Sequence, residues 1–361
     1  MSAPLFSPLR LRGAQQRNRV GVSPMCQYAC APDGLATPWH LVHLGARAAG
    51  GAGLVVAEAT AVAPEARISA ADLGLWSAAH AAALRPVAEF LHAQGAVAGV
   101  QLAHAGRKGS TQVPWVGRKV VLPAQGGWEV QAPSPIPFSG DTGLPREMTE
   151  QDIAQAIAQF AAAARHAASA GFRYVELHLA HGYLAHAFMS PLTNARRDAW
   201  GGSYDNRVRF TREVVRAVRQ ALPDELPLAA RLSMTDWVPG GWSVDDAVRL
   251  AALLREDGLD LVVCSSGAIV PGAQPPQGAG MQIPFAARVR SQAGLAAGAV
   301  GAITEPKQAD DLIAAGGADI AFLARAMLRD PNWAVHAAEA LGQKAPWPAC
   351  YARAVAKSAR A

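Results

Sequence analysis

His178, His181 and Tyr183 stand together in one short stretch, YVELHLAHGY, over residues 174–183. Two imidazoles can donate hydrogen bonds to a single oxygen that gains negative charge. A phenol with an ordinary pKa of about 10 keeps its proton at neutral pH and can release it to a carbanion-like centre. The residues before them, Tyr174, Val175, Leu177 and Leu179, read as a buried parallel strand. A strand alternates faces at every residue, so positions 178 and 181 would point to opposite sides if it continued. The pair converges only if the chain turns after His178, and Gly182 permits that turn. The cluster then sits at the carboxyl end of a strand, where parallel sheets and barrels carry their chemistry. A His-x-x-His pair can also be a plain surface or core feature, or half of a metal site. A metal needs further donors; no His-Glu-x-x-His is present and His186 alone does not complete a set, so no metal is expected.

The elements that must position these groups follow from length and pattern. With 361 residues and 51% hydrophobic content, the chain can bury one large core or two smaller ones. The net charge of +5 comes from scattered basic residues, with no Lys/Arg run interleaved with aromatics. Nucleic-acid binding is therefore not expected, although phosphate-bearing ligands would find the charge helpful. The four cysteines, Cys26, Cys30, Cys264 and Cys350, form no Cys-x-x-Cys pair, which disfavours zinc and iron–sulfur frameworks. The first twenty residues lack a signal-peptide core and no long apolar run spans a membrane. The expectation is a reduced, cytoplasmic protein without membrane partners.

Along the chain, strands are expected at 21–28, 54–62, 97–104, 174–179, 228–233, 259–266, 296–303 and 319–323. Helices are expected at 37–49, 80–94, from Thr149 to about Gly171, and at 207–222, 244–256, 285–293 and 308–315, with a closing helix from Ala326. Asp152, three residues after Thr149, is a variant capping box. Eight strands, most followed by a helix, are the count and alternation of an α/β (β/α)8 TIM barrel in a single domain over 1–361. A doubly wound open sheet is the rival, but no Gly-x-Gly-x-x-Gly follows an early strand. Residues 105–148, after the third strand, are rich in Gly, Pro and Trp and read as a long excursion over the barrel mouth, with a hairpin at 120–128. Trp115, Trp128, Ile136 and Phe138 argue that it packs. Segment 270–281 is the least regular part and should edge the site.

Polar residues interrupt the strands at or just past their carboxyl ends: Cys26 and Tyr28, Glu58 and Thr60, Gln101 and His104, His178 and His181, Arg231, Ser265 and Ser266, and Arg325. In a barrel these converge on one mouth. The last two strands add the turn around Gly301 and the Ala324-Arg325 pair, where this fold usually cradles a phosphate. Arg231 suits a ring that becomes anionic on reduction, and Gln101 suits a ring edge that donates and accepts.

The motifs PMCQY (24–28), EATAV (58–62), QLAHAGRK (101–108), PREMT (145–149), ELHLAHGYL (176–184), FMSPLTNARRDAWGGSYDNRVRF (188–210), GAVGAI (298–303) and FLARAML (322–328) together resemble the old yellow enzymes, flavin-dependent ene-reductases. The likeness is to the thermophilic-like subclass of xenobiotic reductases and bacterial NADPH dehydrogenases, and it covers residues 4 to 355. It implies a non-covalent FMN at the barrel mouth and NADPH as hydride donor. Ser23, Pro24, Met25, Cys26, Ala59, Gln101 and Arg231 would line the isoalloxazine, with Gly301, Ala324 and Arg325 along the phosphate. Ala324 stands where the family commonly has Gly. Cys26 would tune the flavin and touch substrate. His178 and His181 would grip the activating carbonyl or nitro oxygen, Tyr183 would donate the proton and Tyr28 would contact substrate. Arg353, in the tail 343–361, would reach a neighbouring subunit's site, implying a homodimer or homotetramer. The implied reaction is ping-pong reduction of activated C=C bonds of α,β-unsaturated carbonyl compounds, and of nitro compounds. The alternatives are a flavin-free, phosphate-binding barrel isomerase or lyase and a non-catalytic flavin carrier. The physiological substrate is not legible.

Overall fold

Eight short apolar runs pair edge to edge and leave no free edge. They are β1 (Val20–Val22), β2 (Leu54–Ala61), β3 (Val97–Ala103), β4 (Tyr174–Leu179), β5 (Leu228–Ser233), β6 (Leu261–Ser265), β7 (Ala296–Val300) and β8 (Ile320–Leu323). All neighbours are parallel and β8 pairs back to β1, closing the barrel in chain order. This computed structural model describes residues 3–276, 278, 280–351 and 353. The expected (β/α)8 barrel is thus borne out.

Helices α1 (Pro38–Ala49), α2 (Ala78–Ala93) and α3 (Glu150–Ser169) cover β1 to β3. A short α4 (Leu184–Met189) and α5 (Tyr204–Ala221) follow β4, α6 (Val244–Glu256) follows β5, and α7 (Ile283–Arg288) follows β6. Helix α8 (Pro306–Ala314) follows β7, and α9 (Arg325–Arg329) and α10 (Trp333–Ala340) follow β8. The capping box expected at Thr149 forms: Thr149 Oγ1 accepts from Asp152 N at 3.2 Å, and Asp152 Oδ2 accepts from Thr149 N at 2.8 Å.

Inside the barrel the strands' alternate residues stack in layers. The lowest layer is apolar, with Leu54, Val56, Tyr174, Leu261, Val263, Ile320 and Phe322 packed together. Phe322 fits only because Gly298 faces it; a Cβ there would lie 2.6 Å from the ring. A hairpin of Leu9–Leu11 with Ala14–Gln16 closes this end, adding Leu11 and Ala14 to the same cluster. Moving toward the carboxyl ends, the inward residues turn polar: Gln101, Glu176 and Arg231, then His178, Ser233 and Ser265.

Three expectations are corrected. The first strand spans only Val20–Val22 rather than 21–28, because Pro24 has no N–H to pair and Tyr28 sits at φ 51°. No hairpin forms at 120–128: Thr111 and Val120 share one isolated antiparallel bridge, and Pro123 opens a 3-10 turn at Pro123–Gln125. The closing helix is two helices, since Pro331 cannot continue α9 into α10.

The excursion 105–148 is packed. Arg107 is buried and donates to the carbonyls of Ile136 (3.1 Å), Pro137 (3.0 Å) and Ile269. The backbone amide of Gly280 donates to Gly301 O at 3.1 Å, tying segment 270–281 to the end of β7. Arg353 is exposed, and the rest of the tail call at 352 and 354–361 lies outside the described residues.

Candidate active site

The chain turns directly after β4, as Gly182 allowed. His181 lies at φ 61° and Gly182 at φ 76°. The turn packs so closely on the loop after β6 that a Cβ at Gly182 would stand 2.4 Å from Ala268 O. The result brings the three groups together. The His178 and His181 rings meet edge to face with centroids 5.1 Å apart, and Tyr183 lies 4.9 Å from His178.

Their protonation states follow from their surroundings. Burial first, and then the nearby cations Arg231 and Lys108, push both imidazoles well below the ordinary histidine value. Both are therefore neutral. Ala180 N donates to His178 Nδ1 at 3.3 Å, so that ring carries its proton on Nε2 and can donate from there. Ser265 Oγ lies 2.7 Å from His181 Nε2, and His181 N donates to Ser233 Oγ at 3.0 Å. Burial raises the Tyr183 phenol well above its ordinary value, so its proton stays on Oη until a stronger base forms.

A cavity of about 960 Å³ opens over this cluster, lined by Tyr183, Tyr28, Lys108, Arg118 and Phe138 among others. Tyr28 is wedged edge-on against Trp115 of the excursion at 5.9 Å. Lys108 Nζ donates to the carbonyls of His181 (2.8 Å) and Ala268 (3.1 Å) and lies 5.1 Å from the Tyr183 ring centre. Burial, then Arg107 and Arg118, lower its ammonium to about 7. Cys26 stays a thiol, its pKa raised by burial and by the fields of Asp72 and Glu58.

Beneath the histidines, Gln101 Nε2 donates to Glu176 Oε1 at 2.6 Å and Tyr174 Oη donates to Glu176 Oε2 at 3.2 Å. Arg231 faces the same carboxyl, whose pKa is raised by burial and drawn back by that guanidinium. Two buried polar atoms here lack any protein partner: Arg231 Nε and Ser23 Oγ. Such orphans are costly in a folded interior and mark where a ligand's acceptors belong. Ser23 N donates to Leu323 O at 2.9 Å, so Ser23 sits beside Ala324 and Arg325 at the start of α9. On the neighbouring strand end, Gly301 takes φ 132°, a conformation that favours glycine. Ala324 lies at φ −112° and therefore needs no glycine on that account. These donors and the bare backbone fit a planar, phosphate-bearing heterocycle such as FMN.

Three strand-end residues do not reach the mouth. A bulge between Ala57 and Ala59 turns Glu58 outward, where it accepts from Gln27 N and pairs with His40 of α1 at 3.1 Å. Thr60 shares that outer side and spends its hydroxyl on Glu58 O at 2.7 Å, while Ala59 and Ala61 line the space by Tyr183. His104 is buried and accepts from Gly106 N at 3.0 Å, which shapes the start of the excursion. Sequence reasoning missed Glu176, Tyr174 and Lys108 as site residues. The signal for the first two was there: Tyr174, Glu176 and His178 alternate onto one face of β4.

A family model described as the NADH:flavin oxidoreductase / NADH oxidase family matches residues 4–344. The chain is 45% identical over 343 residues to an NADPH dehydrogenase of Geobacillus sp. (strain WCH70), covering 95% of this chain and 96% of that one. It is 44% identical over 354 residues to an NADPH dehydrogenase of Geobacillus thermodenitrificans (strain NG80-2), covering 98% and 99%. Among solved structures, morphinone reductase in complex with tetrahydroNAD superposes with a TM-score of 0.78 at 28% identity, covering 94% of this chain and 90% of that one.

Proposed function

The chain belongs to the NADH:flavin oxidoreductase / NADH oxidase family, the old yellow enzymes, and from that premise we propose that it is an FMN-dependent NADPH oxidoreductase that reduces activated C=C bonds of α,β-unsaturated carbonyl compounds and of nitro compounds. The observation that carries the substrate class is the His178–His181–Tyr183 cluster at the mouth of the barrel, with His178 buried, His181 and Tyr183 half-buried and both imidazoles neutral. A flavin-free isomerase or lyase has no place in this family.

FMN, when bound, supplies hydride transfer from NADPH and to substrate. Ser23, Pro24, Met25, Cys26, Ala59, Gln101 and Arg231 hold its ring, the Arg231 guanidinium offering Nε as an unused donor. Gly301, Ala324 and Arg325 hold its phosphate. His178 Nε2–H and His181 bind the substrate's carbonyl or nitro oxygen and stabilise the negative charge it gains; neutral imidazoles do so without protonating it. Tyr183 releases its proton from Oη to the α-carbon. Cys26 and Tyr28 shape the wall beside that carbon. Arg107 and Lys108 hold the excursion over the mouth and so limit water there. Among the described residues no helix is long and apolar enough to cross a membrane. We place the protein in the cytoplasm as a homodimer or homotetramer, with Arg353 reaching a neighbour's mouth.

Steady-state reduction of cyclohexenone, varied against NADPH, tests this reading. Parallel double-reciprocal lines and cyclohexanone as product are expected, because both substrates use one site in turn. Absence of cyclohexanone, or intersecting lines, would overturn it.

A further inference from the structure

The peptide that joins His181 to Gly182 is held at both of its polar atoms. Its carbonyl accepts from Lys108 Nζ at 2.8 Å, and its N–H donates to His186 Nδ1 at 2.9 Å. Behind His186 lies Asp236. His186 Nε2 stands 2.9 Å from Asp236 Oδ1, with the hydrogen off the straight line, and neither atom has another partner among the described residues. Asp236 Oδ2 accepts from Ser190 Oγ and from Trp242 N, each at 2.7 Å. His186, Ser190 and Asp236 are fully buried. Burial opposes the charge on Asp236, but His186, Ser190 and Trp242 hold its carboxyl below the usual range.

The tautomer of His186 follows from its neighbours. The Gly182 N–H can only donate, so Nδ1 is the bare nitrogen and the proton sits on Nε2, the ring nitrogen that stands 2.9 Å from Asp236 Oδ1. We propose that Asp236 and His186 are positioning residues for the reaction. Asp236 fixes the His186 tautomer, His186 braces the His181–Gly182 peptide against Lys108, and this clamp sets where His181 and Tyr183 point. The inference rests on the roles proposed above for those two side chains.

The isosteric change Asp236→Asn isolates the tautomer. An asparagine has one oxygen, and the fixed Trp242 N–H together with Ser190 claims it. Its NH2 then faces His186 Nε2, which must become the acceptor. The ring proton moves to Nδ1 and meets the Gly182 N–H donor to donor, so the clamp opens although no volume has changed.

Two readouts on the FMN-loaded enzyme decide the matter. Amide hydrogen exchange of peptides spanning 181–186, followed by mass spectrometry, should become faster in Asp236→Asn, whatever the enzyme's activity. The Kd of 4-hydroxybenzaldehyde, read from the visible difference spectrum, should rise roughly ten- to a hundredfold, with kcat for cyclohexenone falling as well. Unchanged exchange, or unchanged Kd and kcat in a folded variant, would overturn the proposal. If Asp236→Asn does not fold, Lys108→Met loosens the same peptide from its other side. It should raise the Kd in the same direction, with Lys108→Arg restoring part of the affinity, and wild-type values in Lys108→Met would overturn the clamp. Should the wild-type enzyme bind no phenol, the proposed function fails while the exchange experiment still judges the clamp.

Discussion

Replacing Gly182 with alanine should damage the site through two separable effects. The first is conformational: at φ 76° an L-residue pays roughly 1–2 kcal/mol that glycine does not. The second is steric. The new Cβ would sit 2.4 Å from Ala268 O and 3.1 Å from Ile269 Cα, both backbone atoms with no side-chain torsion to relieve them. Real Cβ atoms essentially never approach closer than 3.0 Å, so the turn or the 268–269 loop must move by at least 0.6 Å, the difference between 3.0 and 2.4 Å. His181 precedes the altered residue and Tyr183 follows it, so both side chains proposed to act on the substrate shift with the backbone. A misplacement approaching 1 Å costs on the order of a hundredfold in rate. Differential scanning calorimetry should therefore show a Tm lower by a few degrees, consistent with a loss of about 2 kcal/mol or more. Steady-state assay with cyclohexenone should show kcat reduced about ten- to a hundredfold. A Gly182→Ala enzyme with wild-type Tm and kcat would mean that the turn is not under this constraint.

Tyr183→Phe should lower kcat for a weakly activated enone by about a hundredfold or more while leaving the Kd for 4-hydroxybenzaldehyde unchanged; full turnover would remove Tyr183 from the proton step. Stability should fall as the solution is acidified below about pH 6.5. Burial holds His43 and His104 down to about 4, and His178 and His181 well below their ordinary value. Between the folded and unfolded values the unfolded chain binds more protons, so the folded state loses ground as pH drops. Asp72, raised by burial to about 7, and Glu176, also raised by burial, act in the opposite direction as pH rises, but they are two groups against those four histidines together with His80 and His166, which burial lowers as well. A Tm that stays level between pH 6.5 and 4.5 would contradict buried, neutral histidines.

The barrel was legible because its strands are continuous apolar runs, as parallel strands buried on both faces must be. Helix α6 was expected at 244–256 and forms with those bounds. The failures have local causes. Around Pro24 and Pro123 an apolar sequence suggested paired strands, yet proline supplies no donor for the ladder. Helix α4 went unread because its residues 184–189 continue the apolar character of β4 and are too few to display a helical period. Glu58 was misassigned to the mouth because a one-residue bulge reverses the facing of everything after it, and no residue type announces the bulge. Within the site, the groups close in sequence were found, since His178, His181 and Tyr183 are brought together by one turn. The partners that hold that turn, Lys108, Ser233, Ser265 and Asp236, come from three other segments. Only the folded barrel puts them beside it.

The visible spectrum of the purified protein, recorded anaerobically through one cycle of reduction and reoxidation, bears most directly on the proposed chemistry. A flavin absorption that bleaches on adding NADPH and returns on adding cyclohexenone is the expected result. A protein that stays colourless after incubation with FMN, or whose reduced flavin is not reoxidised by cyclohexenone, would contradict the assignment of the mouth as an ene-reductase site.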